Sequence, residues 1–294
     1  MAVYKRAYAG YSGAHTPTWS RFLVLARYSF SDLFQSRLFT ALFVLTFVPV
    51  LVGIALIYLT NSETAQLLLR IQTGGRPLLL INNSFFLHWL EAQGWLGVLL
   101  TAWVGPSLVA PDLSNNALPL FLSRPFTRRE YVLGKMVVLA MLLSLITWIP
   151  SVLMFAVQSA MAESGWMLSN LWLIGAIFAA SWLWIIFVAL LSLALSAWVR
   201  WRIIASALTF AIFIAPSGFG EALDAVLRTH WGRVFNLWYM TQVVWYKLFR
   251  ASWSLPSGVQ EFPVGVAALV LLVAMVFSLL LLNQRLQAKE VVRG

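Results

Sequence analysis

The sequence predicts an all-α integral membrane protein: six transmembrane helices, an N-terminal amphipathic interfacial helix before the first of them, and both termini cytoplasmic. Three observations predict it. Hydrophobic residues make up 61% of the 294 positions and charged residues only 10%, too little charge for a water-facing surface. Six runs poor in charge, at 39–59, 94–110, 136–157, 171–199, 203–219 and 264–282, are of the length that a hydrocarbon core of about 30 Å requires. With both termini inside, 14 of the 20 Lys and Arg residues fall on the cytoplasmic side, as the positive-inside rule demands.

The segment 1–38 is a cytoplasmic arm followed by the amphipathic helix. Thr16-Pro17 has the form of an N-cap with proline at the first helical position. Trp19, Phe22, Leu23, Ala26, Phe30, Leu33 and Phe34 then recur at helical spacing, with Ser20, Arg27, Ser31 and Gln35 on other faces. No small-residue cleavage site follows the first apolar run, so that run reads as a retained anchor and not as a signal peptide.

The extracytoplasmic loops are 60–93 and 220–263. The first holds a Gly74-Gly75 turn, Pro77 and a short helix over 85–90 that can lengthen the second span backward. The second is rich in Trp and Tyr (Trp231, Trp238, Tyr239, Trp245, Tyr246, Trp253), residues that favour the headgroup layer, which predicts a helix along the outer interface. A seventh span over 234–249 is disfavoured because it would carry Asn236, Gln242 and Lys247. Pro49, Pro106, Pro150 and Pro216 are candidate kinks. Gly97, Thr101 and Gly105, and likewise Gly175 and Ala179, permit close helix contact, within the chain or between two copies.

Charge and motifs then remove whole classes of function. The outer side keeps only Arg70, Arg76, Arg228, Arg233, Lys247 and Arg250, balanced by six acidic residues, so the net charge of +10 sits entirely inside. That basic balance implies topology and anionic lipid as partner, not nucleic acid. The absence of cysteine excludes disulfides and thiolate chemistry. There is no P-loop: Gly134-Lys135 is followed by Met136, and Arg129 stands where the loop would need glycine. His15, His88 and His230 are too scattered for a metal site, and neither a nucleophile elbow nor paired intramembrane carboxylates occur. The chain therefore reads as non-catalytic, with no cofactor of its own. Glu91 and Lys135 lie only at span edges, where they can snorkel or meet water. An ion-coupled transporter needs a charge deeper in the bilayer, so any energy must come from another subunit.

The most informative stretch is the loop 111–135. Arg124, Arg128, Arg129 and Lys135 stand against Asp112 and Glu130, around an apolar patch of Leu118, Leu120, Phe121 and Leu122, with Pro119 and Pro125 as stops. Apolar residues punctuated by prolines and followed by a basic cluster suit a short surface helix that presses on lipid or on a partner protein.

That loop resembles the one in membrane subunits of ABC-2 type exporters, the permeases of type V ABC systems. The matching progression is Leu122, Ser123, Arg124, Pro125, Thr127, Arg128, Tyr131, Gly134 and Lys135, preceded by Pro111-Asp112 at the end of the second span. Asn115-Asn116-Ala117 stand where members often carry an acidic residue and a glycine. The resemblance implies a permease subunit in the cytoplasmic (inner) membrane of a prokaryote, with the N-terminal helix as the family's "elbow". ATP and Mg would be held by a separate nucleotide-binding subunit, and a second permease copy or a paralogue would complete a dimer that exports an amphiphilic substrate. Its coupling residues would be Asp112, Leu118, Phe121, Leu122, Arg124, Pro125, Arg128, Arg129, Glu130, Gly134 and Lys135, with a smaller contact at Arg200 and Arg202. The alternative function is a mechanotransmission subunit that delivers ATPase-driven movement to an extracytoplasmic partner and transports nothing.

Overall fold

The computed structural model describes residues 17, 20–68, 79–115, 127–199, 201–228, 231–251 and 262–288. Among them 88% are helical and none is in a strand. Helix α1 (Arg21–Leu33) precedes the first span, which is α2 (Arg37–Leu45) followed by α3 (Val48–Asn61); the short α4 (Glu63–Leu68) comes next. The second span is the continuous α5 (Asn83–Ser114). The third is α6 (Arg128–Ile146) plus α7 (Trp148–Met161), and the fourth is α8 (Trp166–Asn170) plus α9 (Trp172–Trp198). Helix α10 (Arg202–Leu227) supplies the fifth, and a 3-10 turn (Trp231–Phe235) and α11 (Leu237–Leu248) lead to the sixth, α12 (Val264–Ala288). Six helical segments are thus long and apolar enough to cross a membrane, and the protein is a multi-pass membrane protein. The spans alternate in direction, so the bundle has an α1 end, where α5 finishes and α6 begins, and an α11 end opposite.

Proline and polar caps set the helix limits. Pro49 falls at the start of α3 and Pro150 in the first turn of α7, where a missing N–H costs nothing. Each follows a break in its span, the second at Thr147, whose φ of −106° and ψ of −90° are not helical. Ser36, Asn82 and Asn236 accept hydrogen bonds from the backbone N–H three residues on, at 3.4, 3.2 and 3.0 Å, each satisfying one orphan donor of a helix start. The second span reaches back to Asn83, through the predicted 85–90 helix.

Helices α5 and α9 form the centre, with α6 and α7 beside them, α10 against α5 and α12 against α9. In the most apolar stretch of the first, fifth and sixth spans only 22%, 22% and 17% of residues are buried, against 67%, 50% and 61% in the second, third and fourth. The outer three spans therefore leave apolar faces for lipid. Gly97 and Gly105 lie inside the bundle, against Leu143 and Ser192, so that small-residue stripe serves internal packing. Gly175 faces open space.

Pro106 sits within α5 without ending it, and α9 braces the helix around it. Its Ser196 hydroxyl lies between the Pro106 carbonyl (3.4 Å) and the Ala110 N–H (3.1 Å), and Ser192 donates to the Thr101 carbonyl at 3.4 Å. Hydroxyls from a neighbouring helix thereby bond the α5 backbone on either side of the proline.

Helix α11 departs from the sequence expectation. Its two tryptophans are not at the surface: Trp238 and Trp245 are buried around Trp184, with ring centroids 5.1 and 5.7 Å from it. The Trp245 indole donates to the Ala180 carbonyl at 3.1 Å. Gly94 makes room for the pair, since a Cβ there would stand 3.0 and 3.1 Å from the two rings. Asn83 closes the arrangement by donating to the Phe249 carbonyl at 2.8 Å and the Arg250 carbonyl at 3.0 Å. Gln242 donates to Glu91 at 2.9 Å. Burial, with the Glu91 carboxylate as a smaller cause, pushes the nearby Tyr246 phenol up.

Candidate functional site

Three helices meet at the α1 end, and their junction holds much of what the sequence singled out. Thr127 and Glu130 cap α6 reciprocally: the Thr127 N–H and hydroxyl donate to the Glu130 carboxylate at 2.6 and 2.8 Å, and Thr127 Oγ1 accepts from the Glu130 N–H at 3.3 Å. The cap fixes where α6 starts, and so which residues face inward. Tyr131 and Lys135, four apart, fall on one face, and that face turns toward the last turns of α5.

There Lys135 Nζ meets Asp112 Oδ2 at 2.9 Å, with the two side chains 7% and 20% exposed. The Tyr131 hydroxyl donates to the same oxygen at 2.8 Å, and the ammonium lies 5.6 Å from the Tyr131 ring centroid. The expectation that Lys135 snorkels to water is corrected: it is satisfied inside the protein. An ion pair buried this far is costly to desolvate, and breaking it leaves one uncompensated charge. It therefore holds the end of the second span to the start of the third.

Gly134 lies on a different face of α6, under α1. A Cβ there would stand 3.0 Å from both the Phe22 carbonyl and the Leu25 side chain, so the glycine lets α1 lie close on α6. Arg129 is exposed and Arg128 half-buried, at the outer rim of the junction. Arg202 opens α10 and sets its guanidinium 5.8 Å from the ring centroid of Trp103 of α5.

The structure thus brings Asp112 and Lys135 together as an inward-facing pair, sets Gly134 under α1 and leaves Arg129 on the surface. Leu118, Phe121, Leu122, Arg124, Pro125 and Arg200 lie outside the described residues. Tyr131 was missed as a site residue, although its four-residue spacing from Lys135 was available as a signal. Ser192 and Ser196 had no such signal, because their partners are about ninety positions away in sequence. Among the described residues no cluster of three or more His, Asp or Glu could hold a metal.

Neither a protein-family model nor a curated protein matches this sequence.

Proposed function

We propose that this chain is the membrane-spanning permease subunit of an ATP-binding cassette transporter of the ABC-2 type. A separate nucleotide-binding subunit hydrolyses ATP, and the complex exports an amphiphilic substrate across the cytoplasmic membrane. In this reading α1 is the interfacial elbow helix, both termini are cytoplasmic, and a second copy or a paralogue completes the permease.

The single observation that carries the reading is the buried Asp112–Lys135–Tyr131 junction. It fastens both ends of the loop bearing the family-like progression to the bundle centre. A push on that loop by a closing partner is then not absorbed locally, because it displaces α5 and α6 together, and α1 with them through Gly134. Helix α5 runs unbroken to Asn83 and its bonds to the end of α11, so movement at Asp112 reaches the far side. The exposed arginine at position 129 suits a carboxylate-bearing groove on a partner.

The test is purification of the tagged chain from its native membranes under mild conditions. The expected complex contains a chain with a GxxxxGK[ST] motif and hydrolyses ATP, while the stripped permease does not, lacking any amide loop to cradle phosphate. ATP turnover by the chain alone, or a native complex without such a chain, contradicts the reading.

A further inference from the structure

At the α1 end a cleft of about 620 Å³ opens between α1 and the bundle. Ser31 and Asp32 of α1 form one wall, and Ser107 and Asp112 of α5, Lys135 of α6 and Arg202 of α10 form the other. Asp112 and Lys135 neutralise one another at 2.9 Å. Among the described residues that leaves one cation, Arg202, and one anion, Asp32, neither of them in an ion pair.

Two further features give the cleft a polarity. Trp201, at the N-cap of α10, offers no side-chain acceptor, so the first N–H groups of a long helix stay open beside Arg202 and favour an anion. Apolar surface adjoins it: Tyr28, which lines the cleft, Val24 one turn before it on α1, and Trp103 of α5 are exposed. Trp103 lies one turn deeper than Ser107 and two turns deeper than Pro111. The cleft is polar within and flanked by surface that acyl chains would cover.

We propose that this cleft binds the headgroup of a primary-ammonium zwitterionic phospholipid, of the phosphatidylethanolamine type. The phosphate sits against Arg202 and the open start of α10, and the ammonium against the Asp32 carboxylate. A choline headgroup carries the charge but has no N–H to donate, and a glycerol headgroup has no cation for Asp32. The proposal rests on this cleft and does not require an ATPase partner.

The experiment is native mass spectrometry of the purified protein with equimolar phosphatidylethanolamine, phosphatidylcholine and phosphatidylglycerol of identical acyl chains. Phosphatidylethanolamine is expected to be retained about tenfold over the other two, the factor that one charge-assisted hydrogen bond is worth. Asp32→Asn should bring it level with phosphatidylcholine, and Arg202→Gln should lower retention of all three. Arg37→Gln, an exposed arginine that does not line the cleft, should change nothing. Asp32 and Arg202 are both exposed, and an unchanged elution volume and helical circular dichroism establish that the variants fold. Equal retention of the three lipids, a preference that survives Asp32→Asn, or an equal loss with Arg37→Gln overturns the proposal. Displacement of the lipid by stoichiometric glycerophosphoethanolamine also overturns it, because the site would then serve a soluble ligand.

Discussion

Lys135 and Asp112 are worth more as a pair than either is alone. With both present the charges compensate at 2.9 Å, and Tyr131 adds a second donor to the same carboxylate oxygen. Lys135→Met leaves a buried carboxylate without its cation and should cost about 3–5 kcal/mol. The double variant Asp112→Leu with Lys135→Met removes both charges and should recover most of that loss. Tyr131→Phe deletes one hydrogen bond to a charged group and should cost about 1.5–3 kcal/mol. Thermal unfolding in detergent measures all three. A single Lys135 variant as stable as the parent protein would show that the pair does not hold α5 to α6.

At the scale of the helix, α9 braces α5 around Pro106. Ser196→Ala removes the hydroxyl between the Pro106 carbonyl and the Ala110 N–H and should lower stability by about 1–3 kcal/mol, the cost of unsatisfied buried backbone groups. Hydrogen exchange at Ala110, measured by mass spectrometry, should quicken in the same variant; unchanged protection there would mean that the serine is incidental. Gly94→Leu should damage the protein by a different route, forcing Trp238 and Trp245 apart at about 1–3 kcal/mol or more. The six spans were legible because a hydrophobic run of the right length has few alternatives in a chain with so little charge. The capped starts at Ser36, Asn82 and Asn236 are legible in hindsight by residue type. The burial of the α11 tryptophans was not, since tryptophan suits an interface and a core equally well, and the room for them is made by Gly94, over 140 positions away. The junction was half legible: the loop's charges stood out, but nothing in one sequence says that Asp112 and Lys135 choose each other.

For the whole molecule, orientation and coupling stand or fall together. The chain contains no cysteine, so single cysteines report sidedness without background. A membrane-impermeant maleimide applied to intact cells should label Gly74→Cys and Ser257→Cys, and should reach Ser114→Cys and Gln287→Cys only after permeabilisation. The reverse pattern would put the α1 end, and with it the proposed coupling loop, outside, where no cytoplasmic ATPase reaches it. If the α1 end is cytoplasmic, Arg128 and Arg129 lie at the rim where a partner's force would enter. The most direct test reverses both, Arg128→Glu with Arg129→Glu, and compares ATP turnover of the purified complex with that of Arg27→Glu plus Arg37→Glu. The second pair makes the same change in charge at the same end, at exposed positions in α1 and α2. Arg285 is a poorer control because it donates to the Ala197 carbonyl at 3.3 Å. Set against an acidic groove, the first reversal should cut complex formation or coupled ATP turnover by at least about tenfold and leave membrane insertion intact, while the second leaves turnover near the parent value. Equal behaviour of the two double variants would contradict coupling through this loop.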